Sequence, residues 1–319
     1  MYRVGIVGGE THVGEVTKLA GEQLEIVAAA VRPEQTEEAA EAYNCPVVED
    51  YRGLLVNPEL DIVAVANEND RRAEVIVAAI AAGKDVICDK PLALTMAEQD
   101  AIEEAVAANP QRRVLNLLTL RGQPIWRALR EVVNCGRIGS PAFTHVRMAV
   151  RLKRDERPPW FLDARRSGGL FLDLLIHGLD QVEWVTGRHI TAMTATIGNL
   201  GEPEEEHLRD HAAVFCEMED GSAALCEGQR MLPDTKGSDY RVTVAGTSGY
   251  ADLYAAESKL VVTDMEAADQ EVTELPEELS VVADWLGGGN AIPQVASLRA
   301  NRLAIVATMS ATRHERIEI

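Results

Sequence analysis

Apolar residues in the first third of the chain follow two rhythms. Unbroken apolar runs of strand length open at Tyr2 to Gly8 and recur at Leu24 to Val31, Asp61 to Ala66, Asp85 to Pro91 and about Arg113 to Leu120. Runs of this length closed by glycine or proline read as buried strands. Between them the apolar positions return at helical spacing, first at Val13, Val16, Leu19 and Ala20. A charged helix then opens with Pro33 in its first turn, "RRAEVIVAAIAAG" stops at Gly83, and "TMAEQDAIEEAVAAN" follows the fourth run. Strand–helix alternation of this kind predicts an α/β fold with a doubly wound parallel sheet, ending near residue 120.

Beyond that point the pattern changes. "GQPIWRALREVVNCG" is a helix capped by Gly136, and "FTHVRMAVRL" alternates like a half-buried strand. From about His189 to Asp264 the chain is mostly strands, with Asp220-Gly221 and Gly246 to Gly249 as hairpin turns. A last long helix, roughly Ile292 to Ala311, leads to a short strand, "RIEI". An α/β domain is thus followed by a domain built on a mainly antiparallel sheet.

Composition narrows the functions open to such a chain. Its 319 residues carry 31 Lys plus Arg against 51 Asp plus Glu, a formal charge of −20. That balance argues against nucleic acid and anionic membranes as partners, since both need a basic footprint. The cysteines Cys45, Cys88, Cys135, Cys216 and Cys226 form no C-x-x-C pair, so neither a disulfide framework nor a metal site is expected. With no signal-like opening and no apolar run near the ~18 residues of a membrane helix, a soluble, cytoplasmic protein is expected.

The stretch Gly168 to Gly187 is apolar for most of a helix yet carries Asp173 and His177 in its middle. Four residues apart on a helix, the two share a face, and Asp180 extends the stripe. An acid–imidazole pair in apolar surroundings is either a satisfied structural pair or a proton-handling site.

Elsewhere the turn after the first strand, Gly8-Gly9-Glu10-Thr11-His12-Val13-Gly14, approximates the dinucleotide fingerprint G-x-G-x-x-G with one glycine missing. Its helix N-terminus still offers backbone N–H groups to a phosphate. The second strand ends in Ala30 and Val31 without the acid that binds the ribose of NAD, and Arg32 beside them suits the 2′-phosphate of NADP. Cys88-Asp89-Lys90-Pro91 ends the fourth apolar strand, where open α/β sheets bind ligands. A lysine there can stabilise developing alkoxide charge on a substrate hydroxyl.

Together "CDKPLALT", "RRSGGLFLDLLIHGLDQVEWVTG" and the β-rich second half resemble the Gfo/Idh/MocA oxidoreductase family, over nearly the whole chain from "YRVGIVGG" through "DWLGGGN" to the last helix. The resemblance implies a Rossmann domain over 1–120 and, over 121–319, an α/β domain with an open mixed sheet, the last helix packing back on the first domain. It implies hydride transfer between NAD(P) and a secondary alcohol or ketone of a sugar, cyclitol or related polyol. A homodimer or homotetramer joined through the second sheet is implied as well. The family's E-K-P motif matches Asp89-Lys90-Pro91 and its D-x-x-x-H pair matches Asp173 and His177. Carried over, Lys90 is the catalytic lysine, His177 the acid/base partner and Asp173 the residue that orients or holds substrate. Which of Lys90 and His177 carries the proton stays open. Trp160 corresponds to a tryptophan often near the nicotinamide, and Arg165 and Arg166 could contact substrate. The cofactor set is then Gly8, Gly9, Thr11, His12, Val13, Arg32, Asn67, Asn69, Asp89, Lys90 and Trp160.

The chain departs from the pattern on the cofactor side. A glycine is missing from the turn, and Asn67-Glu68-Asn69 with Arg72 replaces the usual T-P-N followed by a histidine. Those departures also fit a non-catalytic sensor or scaffold descended from such enzymes. Some relatives, moreover, hold NAD(P) permanently and use transient oxidation for elimination or glycoside cleavage.

Overall fold

The computed structural model describes residues 1–9 and 11–319. The chain divides into two compact units, Met1–Leu118 with Ser280–Asn301, and Thr119–Leu279 with Arg302–Ile319.

In the first unit six strands form one sheet: β1 Tyr2–Val7, β2 Leu24–Ala30, β3 Val47–Val48, β4 Ile62–Val65, β5 Asp85–Cys88 and β6 Val114–Asn116. All neighbours are parallel, in the order β3-β2-β1-β4-β5-β6. This is the doubly wound order whose switch point lies between β1 and β4. β4 and most of β5 are buried on both faces, which is why they read as unbroken apolar runs and not as alternating ones. The helices are α1 Gly14–Thr17, α2 Thr36–Tyr43, α3 Tyr51–Leu55, α4 Arg72–Ala81 and α5 Met96–Ala108. Thr95 and Glu98 close a capping box at the start of α5.

Two features here differ from the pattern reading. The helix expected from Val13 to Ala20 is the single turn α1, because Gly21, at φ 84°, reverses the chain three residues before β2 begins. β3 and α3 are too short for any periodicity to report them.

The second unit is built from α6 Pro124–Asn134, β7 Pro141–Val150, α7 Ala164–Ser167, α8 Ile176–Thr186, β8 Ile190–Gly198, β9 His211–Met218, β10 Ala223–Gln229, β11 Ser238–Gly246, β12 Gly249–Tyr254, β13 Lys259–Thr263 and β14 Gln270–Glu271. Late in the chain come α9 Val281–Leu286 and α10 Gln294–Arg313, then β15 Ile317–Glu318. The nine-stranded sheet runs β14-β13-β12-β11-β7-β10-β9-β8-β15, with only β7 and β10 parallel. Its strands alternate buried and open positions, as in β10, because one face carries α6 and α8 and the other does not. Gly228 of β10 is required at that contact, since a Cβ there would stand 2.9 Å from the Leu175 side chain.

α9 and the first part of α10 belong to the first unit. There the Tyr2 hydroxyl donates to the Leu286 carbonyl at 3.1 Å, and the Leu92 amide donates to Asn301 Oδ1 at 2.8 Å. Among the described residues no helix is long and apolar enough to cross a membrane, and all five cysteines are free thiols.

Candidate active site

At the carboxyl edge of the first sheet the chain passes from β1 into Gly8, whose φ of 85° favours glycine. A Cβ there would lie 2.3 Å from the Asn67 Cα, so the loops after β1 and β4 touch only because the side chain is missing. A Cβ on Gly9 would meet only ordinary contacts, the Tyr43 hydroxyl at 3.8 Å and Gln35 Nε2 at 3.9 Å, Glu10 lies outside the described residues, and α1 is a single turn with little macrodipole. Any phosphate cradle here therefore depends on the backbone of the turn more than on a helix terminus.

The side chain that organises this edge is Arg72, fully buried at the start of α4. Its Nε donates to the Asn67 carbonyl at 3.0 Å, and its Nη1 to the carbonyls of Asp89 and Lys90 at 2.9 and 2.5 Å. Its Nη2 donates to Thr11 Oγ1 at 2.6 Å and stands 3.8 Å from the Asp89 carboxylate. One guanidinium thus ties the turn after β1 and the ends of β4 and β5 together. Asp89 itself is buried, and burial alone would raise its pKa. The His12 hydrogen bond and the charges of Lys90 and Arg72 outweigh that and hold the carboxyl well below the usual range. The His12 amide reaches it at 3.3 Å while the imidazole stays mostly exposed. Beside it, burial pushes the Cys88 thiol up to about 12, so Cys88 is no nucleophile. Lys90 is half-buried and joined to Pro91 by a cis peptide bond.

A cleft of about 300 Å³ opens at the ends of β1, β2 and β4, lined among others by Gly8, Val31, Arg32 and Asn67. Asn67 Oδ1 is buried with no hydrogen-bond partner among the described residues, and Asn69 is buried in the turn that leads into α4. The cleft, the Gly8 contact and the orphaned amide oxygen together fit a dinucleotide at the switch point. Val13 is half-buried just before α1. Arg32 stands at the β2 side of the cleft, more than a third exposed, 3.0 Å from Glu34.

In the second unit Asp173 lies in a π-turn, Phe171–Leu175, that runs directly into α8. The sequence pattern predicts a regular α-helix here. The wider turn is the difference, and such π-bulges cluster at functional sites. Leu172, Leu174, Leu175, Ile176, Gly178 and Leu179 are buried whereas Asp173 and His177 are half-buried, so the two share the less buried side of this helix. Asp173 forms an ion pair with Arg230, which follows β10 and is nearly inaccessible. Asp180 belongs elsewhere. It is buried in a bidentate pair with Arg121, at 3.0 and 2.6 Å, and burial pushes its carboxyl up despite that charge.

Trp160 is buried with Leu152, Phe161 and Leu208, its ring edge-on to Phe161 at 6.0 Å and its indole N–H without a partner. Arg165 is set apart from this group, two-thirds exposed and clamped on Asp163, the N-cap of α7.

Two residues that hold these arrangements went unsuspected in the sequence. Arg72 stands out there only as a replacement for a histidine. Arg230 carries no local signal, since nothing in "GQRMLPD" pairs it with an acid 57 positions earlier. Among the described residues no group of three or more His, Cys, Asp or Glu could hold a metal ion.

Residues 2–116 match the model of an oxidoreductase family with an NAD-binding Rossmann fold, and residues 126–252 match the GFO/IDH/MocA C-terminal domain. The chain is similar to the uncharacterised oxidoreductase YrbE of Bacillus subtilis, 26% identical over 330 residues that cover 96% of this chain and 93% of that one. It is similar to the myo-inositol 2-dehydrogenase of Thermotoga maritima, 28% identical over 275 residues, 82% of this chain and 78% of the relative. Its fold matches a levoglucosan dehydrogenase solved with NADH and L-sorbose, at a TM-score of 0.86 and 17% identity, covering 100% and 99% of the two chains.

Proposed function

We propose, for a chain that belongs to the Gfo/Idh/MocA oxidoreductase family, that it transfers hydride between a nicotinamide cofactor and a secondary alcohol or ketone of a sugar, cyclitol or related polyol. The observation that carries this reading is Lys90 at the carboxyl end of β5, its backbone carbonyl and that of Asp89 both gripped by the buried Arg72. The Asp89-Lys90-Pro91 strand end, with Asp in place of the family's Glu, and the D-x-x-x-H pair support it, as do the activities named for the relatives.

The nicotinamide cofactor, when bound, supplies the hydride acceptor or donor. The turn Gly8, Gly9, Thr11, His12 and Val13 would hold its pyrophosphate, and Asn67, Asn69, Asp89 and Trp160 complete the set. Lys90 places an ammonium on the substrate hydroxyl and stabilises alkoxide character there. His177 or Lys90 takes or returns the proton, and Asp173 holds the substrate or orients the imidazole. NADP is the preferred cofactor in this reading, because β2 ends without an acid and Arg32 stands at the cleft. A homodimer or homotetramer through the second sheet is part of the same proposal. Its open face carries Phe143, Phe215 and Tyr250, each more than a third exposed.

A panel of polyols assayed by NADH and NADPH absorbance tests this. Lys90→Ala and His177→Ala should each lower kcat by about 10²- to 10⁴-fold with an unchanged thermal midpoint. Full turnover in both variants would remove them from the chemistry, and a clear affinity preference for NADH would end the NADP reading.

A further inference from the structure

Three arginines gather around the Phe161 ring and the crevice beside Asp173. Arg230 is nearly inaccessible and has Asp173 as its acid. Its guanidinium lies 4.9 Å from the centroid of the Phe161 ring, and that of Arg157 lies 4.2 Å from the same centroid. Arg157 is half-buried, yet its one hydrogen bond among the described residues is a long one, from Nε to the Leu152 carbonyl at 3.4 Å. Arg209, beside Arg230, donates only to the carbonyls of Glu206 and Leu208. The neighbouring acid, Asp210, is already engaged with His211 and the amides of Leu200 and Gly201.

Arg209 and Arg230 thus share a crevice with Asp173, Arg157 shares the Phe161 ring with Arg230, and the acid whose charge reaches Arg157 is the exposed Glu156, itself paired with Lys153. Withdrawing an unanswered charge from water is costly, and two cations on one ring repel each other. The repulsion registers on Arg230, whose proton affinity falls through burial first and Arg157 second. Asp173, Arg209 and Arg230 also line a crevice of about 10 Å³, room for a single water or one ligand oxygen.

We infer that the polyol handled by this protein bears an anionic group, a carboxylate or a phosphate ester, which Arg157 binds together with Arg209 and Arg230. This rests on the dehydrogenase reading above, with the Asp173 and His177 helix as its substrate side. Arginine suits the task because its planar fork meets two oxygens at once. An oxygen of the anion would take the crevice, and the polyol would extend from it past Asp173.

Calorimetric titration of the full chain decides the matter. The probes are gluconate and glucuronate as carboxylates, glucose 6-phosphate and an inositol monophosphate as phosphates, and glucose and myo-inositol as neutral controls. Either anionic class should bind about 10- to 100-fold tighter than its neutral control, less so in high salt. Arg157→Gln should erase that preference without weakening neutral polyols, and Arg157→Lys should restore part of it. A preference confined to one class identifies the group. Equal binding of anionic and neutral polyols, equal weakening of both by Arg157→Gln, or no binding of either kind overturns the inference. Tight anion binding without any NAD(P)H turnover would keep the site and defeat the dehydrogenase reading instead.

Discussion

Arg72 in the first unit and Arg157 in the second are both guanidinium groups drawn out of water, and the fold treats them in opposite ways. Arg72 is saturated, with carbonyls at Asn67, Asp89 and Lys90, the Thr11 hydroxyl and a nearby carboxylate. Arg157 has a long hydrogen bond, an aromatic ring and the charge of the exposed Glu156, which is itself paired with Lys153. A buried charge whose every donor is answered by the protein is architecture, because nothing is left over for a ligand. A half-buried charge whose donors the protein leaves open keeps them for water or a ligand. The carboxyl edge of the first sheet is thus a finished scaffold that presents Lys90, while the surroundings of Asp173 are built to be completed from outside.

Removing the saturated guanidinium should have the largest effect. Arg72→Leu leaves several loop carbonyls without donors, and urea unfolding should record a loss of about 3–5 kcal/mol, with turnover falling as Lys90 loosens. A loss below about 1 kcal/mol would place Arg72 with the idle surface charges and break the contrast.

A smaller effect comes from Asp89→Asn, expected to cost about 1–3 kcal/mol at neutral pH. The folded-state pKa of Asp89 is depressed, so its ionised form stabilises the protein above the unfolded value of about 3.9 and that contribution is lost as pH falls through the folded one. The stability difference between wild type and variant should therefore stay flat from neutrality down to about pH 4 and shrink only below it. A difference that did not shrink below pH 4 would detach the effect from the Asp89 carboxylate.

The smallest effect belongs to Arg165. Its partner is the cap residue Asp163 and its side chain is largely in water, so Arg165→Ala should leave both kcat/KM and the thermal midpoint where they were. A marked rise in KM would return Arg165 to the substrate side and blur the line drawn at Arg157.

Much of this was legible along the chain. The apolar runs report β1, β2, β4 and β5, of which β4 and most of β5 are covered on both faces and need no polar positions. Gly8 and the Asp89-Lys90-Pro91 strand end are local features that glycine and proline mark. The Asp173 and His177 spacing is equally local. The π-turn is not, since the apolar spacing there is that of a regular helix, and the contact of Leu175 with Gly228 joins residues far apart in the chain. Asp180, on the same stripe as His177, could not be told from it until Arg121 was seen to occupy it.

The longer elements, the parallel and antiparallel halves and the residue types suited to proton transfer could be read along the chain, because each depends on neighbours within a turn or a strand. The tertiary structure alone decided which charges are answered. Arg72 meets Thr11 and Asp89, and Arg230 meets Asp173, across separations that no periodicity encodes, and whether a buried charge finds its partner depends on distance in space and not along the chain.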